Sequence, residues 1–174
     1  MNRLLRNPVF ITVLTLLLIG IDQLTKHLAV RFLMGGGPLV LWDGVFELRY
    51  LENRGAAFGL MQGQRAFFLV IGIVVFVAVL LLFRYLSPER RYWPLRLIAV
   101  FILAGAWGNM IDRMVNGYVV DFFYFKLIDF PIFNVADIYV TVGTAVLILL
   151  VLFYYKDEEL NDILVKGPKK EKQS

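Results

Sequence analysis

Four long apolar segments, at approximately residues 8–21, 66–86, 95–111 and 138–155, constrain this chain more than any other feature. A hydrocarbon core about 30 Å thick takes about 20 mostly apolar helical residues to cross, so segments of this kind flanked by charge read as spanning helices. The first is short as a pure apolar run. However, LTKHLAVRFLM continues it with Leu24, Leu28 and Phe32 at helical spacing, which predicts a span leading into an interfacial turn or two. Composition agrees: 59% of the 174 residues are hydrophobic, only 18% are charged, and the mean hydropathy is +0.70, far from an ordinary soluble domain. The expected class is an all-α membrane protein with four transmembrane helices.

Arg3 and Arg6 ahead of the first segment resemble the start of an export leader, but no small-x-small cleavage site follows. DQLTK comes instead, and removing the segment would leave an odd number of spans, so it is read as retained. Lys and Arg orient the rest. They cluster before the first span, between the second and third (Arg84, Arg90, Arg91, Arg96), and after the fourth (Lys156, Lys166, Lys169, Lys170, Lys172). Both termini are therefore assigned to the cytoplasm, and residues 22–65 and 112–137 to the other side. The net charge of +4 comes largely from these residues, which points to anionic lipid and not to nucleic acid. With no cysteine, disulfides, thiol nucleophiles and thiolate metal sites are excluded. The one histidine, His27, lies beside Lys26 near a membrane interface and offers little to triad or zinc chemistry. No metal or cofactor is expected.

The first outer loop is patterned. GGGP at residues 35–38 breaks the preceding helix. LVLW, a turn at Asp43-Gly44 and VFELRYLEN then read as two strands, with Phe46, Leu48 and Tyr50 alternating against Glu47 and Arg49. Because a lone hairpin is marginal in water, it is expected to lean on the bilayer or on the strand-like YVVDFFYF of the second outer loop. The domain reading is one four-span membrane domain over residues 1–155, with a β segment around 38–62, followed by a polar, mobile cytoplasmic tail at 156–174.

Ionisable residues near or within a span are costly and are by default functional hypotheses. Here they gather towards one membrane face. GAWGNMIDR carries Asn109, Asp112 and Arg113, with Asn109 and Arg113 four apart on one helical face. Asp121 follows in VVDFF, and Asn134 and Asp137 open the fourth span in FNVAD. ENRGAAFG adds Asn53 and Arg54, and Asp22 with Lys26 forms an i, i+4 pair. Structural roles account for several of these. Asn134 suits an N-cap and Asp137 a helix N-terminus, Asp22 and Lys26 suit an ion pair, and Asp112 suits a local pair with Arg113. Gly55, Ala56, Ala57, Gly105 and Gly108 suit close backbone packing. Asp121 resists such an account, since VV precedes it, FF follows it, and no counter-charge is local.

Two carboxylates from separate segments at one membrane depth can hydrolyse a peptide without His, Cys or metal. Held close, they share a proton; the ionised one takes a proton from water and the protonated one polarises the scissile carbonyl. Arg113, Asn109 and Asn134 are candidate donors to substrate carbonyls or to the developing oxyanion. Asp112 competes with Asp121 as the partner of Asp137.

GAWGNMIDR, VVDFF and FNVAD, with DQLTK and NRGAAFG upstream, together resemble the bacterial lipoprotein signal peptidases, the aspartate-dependent type II signal peptidases. The resemblance runs through the fourth span, with all five motifs in the family's order and spacing. It implies a catalytic dyad at Asp121 and Asp137, binding and support positions at Asn53, Asn109, Arg113 and Asn134, and structural positions at Asp22, Lys26 and Asp112. It further implies cleavage of diacylglyceryl-modified prolipoproteins just before the lipidated cysteine, in the bacterial inner membrane. A small extracytoplasmic sheet and a half-helix lying on the membrane belong to the same picture. Lipidated precursors and membrane lipid are the expected partners, with no nucleic acid, and a monomer is expected. Trp107 departs from the family's commoner aliphatic residue. A small transporter or a non-catalytic assembly subunit is the alternative from another class; a transporter would place charge near the midplane in both halves of a repeat, and no repeat is visible, while an assembly subunit would change little on losing a single carboxyl oxygen.

Overall fold

Backbone amides find no water in hydrocarbon, so apolar segments cross it as helices or as a closed barrel. The computed structural model, which describes residues 7–55, 65–86 and 89–165, takes the helical solution. The helices α1 (Pro8–Leu33), α2 (Arg65–Tyr85), α3 (Trp93–Val115) and α4 (Val135–Phe153) are each long and apolar enough to span. Arg3, Arg6, Ala56, Ala57 and the tail lysines from 166 onward lie outside the described residues. Asn7 starts α1 by accepting from the Val9 N–H at 2.9 Å, and Pro8 occupies a first-turn position that needs no N–H. The interfacial turns expected after the first span are a direct continuation of α1.

A helix surrounded by neighbours must be apolar on every side. In α3, 56% of the apolar window is buried, against 11% in each of the other three spans, which makes α3 the centre of the bundle. Leu18 of α1 meets Val100 and Ala104, and Val79 of α2 meets Ala99 and Leu103. The α3–α4 seam is tight where Gly105 lies against the Ala136 carbonyl and Val140. Trp107 stands edge-on to Phe76 of α2 at 5.6 Å.

The strands β1 (Leu39–Trp42), β2 (Phe46–Asn53) and β3 (Val119–Phe125) form an antiparallel sheet in that order. The Asp43-Gly44 turn forms as expected, with Gly44 at φ +69° and the Val45 N–H on the Trp42 carbonyl at 3.0 Å. YVVDFFYF supplies the third strand. Val120 and Phe122 pack on Ala29 and Leu33 at the end of α1, which seats the sheet on the bundle. The β2–β3 register pairs Leu51 with Asp121 and Asn53 with Val119. Glu47, assigned to the polar face of its strand, is instead buried and paired with Lys126 at 2.8 Å.

The expected mobile tail begins as a helix, α5 (Asp157–Val165). Leu160 gives it an apolar contact with Leu86, Tyr92, Leu95 and Tyr155, and polar contacts hold it in place. The Arg91 guanidinium donates to Glu159 at 2.9 and 3.1 Å and to the Tyr154 carbonyl, while the Tyr155 hydroxyl donates to the Arg91 carbonyl at 3.0 Å.

Candidate active site

Asp121 is delivered by strand alternation. Its neighbours Val120 and Phe122 face the α1 core, so Asp121 faces the other way, towards β2 and the start of α4. It is 1% exposed. Its Oδ2 accepts from Asn53 Nδ2 at 2.8 Å and its Oδ1 from Asn134 Nδ2 at 2.7 Å. Burial, reinforced by the charge of Asp137, pushes the Asp121 carboxyl up from 3.8 to about 7, against the opposing pull of Asn53, Asn134 and Lys26.

Asp137 is delivered by the start of α4. Asn134 is the N-cap, and the two residues form a capping box: Asn134 Oδ1 accepts from the Asp137 N–H at 3.0 Å, and Asp137 Oδ2 from the Asn134 N–H at 3.1 Å. The structural account of FNVAD is therefore correct, but it uses only part of each side chain. Asp137 Oδ1 accepts from Asn109 Nδ2 at 2.7 Å, and the Asn134 NH2 that reaches Asp121 also reaches Asn109 Oδ1 at 3.1 Å. Two amides thus link the two carboxyl groups.

Asp121 and Asp137 line one cavity of about 510 Å³, with Asn53, Asn109 and Arg113 also on its wall and Phe68, Phe133 and Val142 supplying apolar surface. Asp137 is half-buried and meets this space more openly than Asp121 does. A neighbouring groove of about 310 Å³ shares Asn109, Arg113 and Asp137 and runs between α2, α3 and α4 past Gly72, Gly105 and Val140. Arg113 donates to the Gly55 carbonyl at 3.0 Å and stacks over Phe68 at 4.2 Å. Gly55 in turn donates its N–H to Asn53 Oδ1 at 3.0 Å.

Beneath the cavity lies a buried ionic layer. Lys26 Nζ contacts Asp22 at 2.9 Å, Asp112 at 3.1 Å and Asn109 Oδ1 at 2.9 Å. Asp22 also accepts from the Ala136 N–H of α4 at 2.9 Å, and Asp112 from the Val120 N–H of β3 at 3.1 Å, so each carboxylate pins one of the elements that carry the site. A side chain at Gly108 would run into Asp22. The local Asp112–Arg113 pair expected from sequence is replaced by these contacts. Adjacent helical residues point about 100° apart, and here one turns to Lys26 and the other to Gly55.

Of the polar residues singled out in sequence, Asp22, Lys26, Asn53, Asn109, Asp112, Arg113, Asp121, Asn134 and Asp137 therefore converge, whereas Arg54 stays on the surface with Glu52 and His27 is exposed. Gln23 was missed. Its NH2 donates to Asp112 at 2.9 Å, to the Gly108 carbonyl at 3.1 Å and to Asp22 at 3.2 Å. Its signal was its place inside DQLTK, beside Asp22. The Ala136 and Val120 amides left none, because backbone donors carry no residue identity. Among the described residues, no group of three or more His, Cys, Asp or Glu is arranged to hold a metal ion.

Comparison with known proteins follows the same lines. The family model described as Signal peptidase (SPase) II matches residues 14–153. The lipoprotein signal peptidase of Streptococcus thermophilus (strain CNRZ 1066) is 42% identical over 150 residues, covering 86% of this chain and 95% of its own. That of Clostridioides difficile (strain 630) is 41% identical over 139 residues, covering 80% and 92%. Two solved bacterial membrane enzyme structures superpose with TM-scores of 0.70 and 0.72 at 29% and 28% identity. They cover 96% and 85% of this chain, and 95% and 96% of theirs.

Proposed function

The chain belongs to the signal peptidase II family, and on that footing we propose that it is an aspartic endopeptidase that removes signal peptides from diacylglyceryl-modified prolipoproteins, cutting just before the lipidated cysteine. The observation that carries the reading is the pair of carboxyl groups, Asp121 and Asp137, on one cavity wall and linked through Asn134 and Asn109.

In this reading Asp121, buried and raised to about 7, holds the shared proton, and the more open Asp137 is the base. Asp137 takes a proton from water as the water oxygen attacks the scissile carbonyl, while Asp121 donates its proton to the carbonyl oxygen. When the tetrahedral intermediate collapses, Asp137 passes its proton to the leaving nitrogen and Asp121 recovers its own. Arg113 and Asn53, on the cavity wall, hold the peptide carbonyls, and Asn109 and Asn134 orient the carboxyl groups. The groove past Gly72 and Gly105 suits an extended or helical apolar segment of the precursor. The working unit is one four-span domain through residue 155, acting as a monomer in the bacterial inner membrane with its termini in the cytoplasm. The positive charge at Arg84, Arg90, Arg91 and Arg96 supports that orientation.

The test is incubation of the purified protein with a precursor bearing or lacking the diacylglyceryl group, with products identified by mass. Cleavage before the modified cysteine, and little or none without the lipid, is the expected result. Equal turnover of both precursors would point to a general intramembrane protease, and no turnover of either would refute the reading.

A further inference from the structure

We propose that Lys26 is a positioning residue for the reaction: by holding the Asn109 amide in one orientation, it reserves the ionised state for Asp137 and leaves the shared proton to Asp121. The inference rests on the reading of those two residues as the acid–base pair.

An ammonium has three N–H bonds and no acceptor. Those of Lys26 are directed at Asp22, Asp112 and Asn109, at 2.9, 3.1 and 2.9 Å, and the side chain is 3% exposed. No donor remains to meet a substrate, and the charge of Lys26 by itself pulls Asp121 towards ionisation, so whatever reserves that state for Asp137 passes through a neighbour. Of the two ends of an amide, only the oxygen accepts from an ammonium. The Asn109 oxygen must therefore face Lys26, which aims its NH2 at Asp137 Oδ1, 2.7 Å away.

The second amide is set independently. Asn134 Oδ1 is occupied by the Asp137 N–H of the helix cap, which turns its NH2 towards Asn109 Oδ1 and Asp121 Oδ1. Were Asn109 turned over, its NH2 would meet the ammonium and the Asn134 NH2, donor against donor. Its oxygen would then meet Asp137 Oδ1, a contact that is satisfied only when Asp137 carries a proton. The orientation that Lys26 enforces is the one that favours Asp137 as a carboxylate.

The charged and titratable groups around this centre come from four elements: Asp22 and Lys26 from α1, Asp112 and Arg113 from α3, Asp121 from β3, and Asp137 and Tyr139 from α4. Carboxyl groups outnumber cations, which favours a shared proton, and its location calls for a directional device. Lys26 is already matched at close range by two carboxylates. What it adds at Asp137 is the aim of an amide.

The test uses the full chain and the lipidated precursor. Lys26→Met removes the ammonium but strands Asp22 and Asp112, so the triple variant Asp22→Asn/Lys26→Met/Asp112→Asn is made beside it. The triple variant removes the three charges together and keeps acceptors for the Ala136 and Val120 N–H groups. In whichever of the two folds, as judged by its thermal transition, kcat is expected to fall about 10- to 100-fold, the scale seen for outer partners of metal ligands, with KM within about twofold. The acidic limb of the kcat–pH profile is expected to move up by about one pH unit. Adding Asn109→Ala should then cost little more, because Lys26 acts through that amide. A folded variant with parental kcat and an unmoved acidic limb overturns the proposal, as does a full multiplicative loss on adding Asn109→Ala. Failure of the parental enzyme to cleave the precursor would instead overturn the proposed function.

Discussion

Asp121 illustrates how one residue gains a chemical role from its surroundings. A carboxyl raised from 3.8 to about 7 keeps its proton up to about neutral pH, so it can serve as an acid where an ordinary aspartate cannot. The sign of the pH dependence follows. The acid form is lost as pH rises through about 7, so kcat/KM for the lipidated precursor is expected to decline on the alkaline side from there, measured as a pH–rate profile. The native protein also binds this proton more tightly than the unfolded chain does, so the stability contribution of this group falls as pH rises from about 4 to about 7. Asp121→Asn and Asp137→Asn are each expected to abolish cleavage while the protein stays folded and inserted, with the double variant no worse than either. Asp112→Asn should lower turnover or yield only partly, because Asp112 bonds to Lys26, Gln23 and the Val120 amide and is not on the cavity wall. Full turnover by Asp121→Asn with none by Asp112→Asn would reassign the pair.

Among the elements, the seam between α3 and α4 sets the site, because Asn109 rides on one helix and Asn134 and Asp137 on the other. Small residues permit this approach. A Cβ at Gly105 would collide with the Ala136 carbonyl, a backbone atom that cannot swing aside. Gly105→Ala is therefore expected to destabilise the protein by about 1–3 kcal/mol, the usual cost of overpacking, measured by thermal unfolding in detergent. Gly20→Ala on α1, where a Cβ meets nothing within 4 Å, is the control and should be near neutral or slightly stabilising. Equal behaviour of the two would mean that the seam is looser than its geometry implies.

For the molecule as a whole, orientation decides whether the cavity meets an exported precursor. The sheet, Asp121 and the start of α4 lie at one end of the bundle, while Arg91, Tyr155 and α5 lie at the other. Lys and Arg concentrate at the second end, so the first should face away from the cytoplasm. A single cysteine at Asp43, in the exposed β1–β2 turn, is expected to react with an impermeant thiol reagent added outside intact cells. One at Glu158, exposed on α5, is expected to react only after the membrane is opened. The reverse pattern would put the carboxyl pair on the wrong side and defeat the proposed substrate.

The spans, their order, the hairpin turn and the list of polar residues worth attention were legible in the sequence, because each rests on local chemistry: hydropathy over a bilayer's width, a glycine at positive φ, a charge where lipid should be. The tail helix α5 and the burial of Glu47 were not, since each depends on a partner far along the chain, Arg91 for one and Lys126 for the other. The site divides in the same way. FNVAD announced a helix cap, and the cap is there, but nothing local to it says that the same Asn134 amide reaches Asp121 across a sheet register. DQLTK announced an ion pair, and the pair is there, but Asp112 turning to Lys26 and away from its neighbour Arg113 is decided by how α1 packs on α3. The sequence determined which residues would carry charge and donors into the membrane interface. Only the tertiary structure decided which oxygen each donor faces, because a hydrogen bond depends on direction and distance, and neither exists until the helices and the sheet have docked.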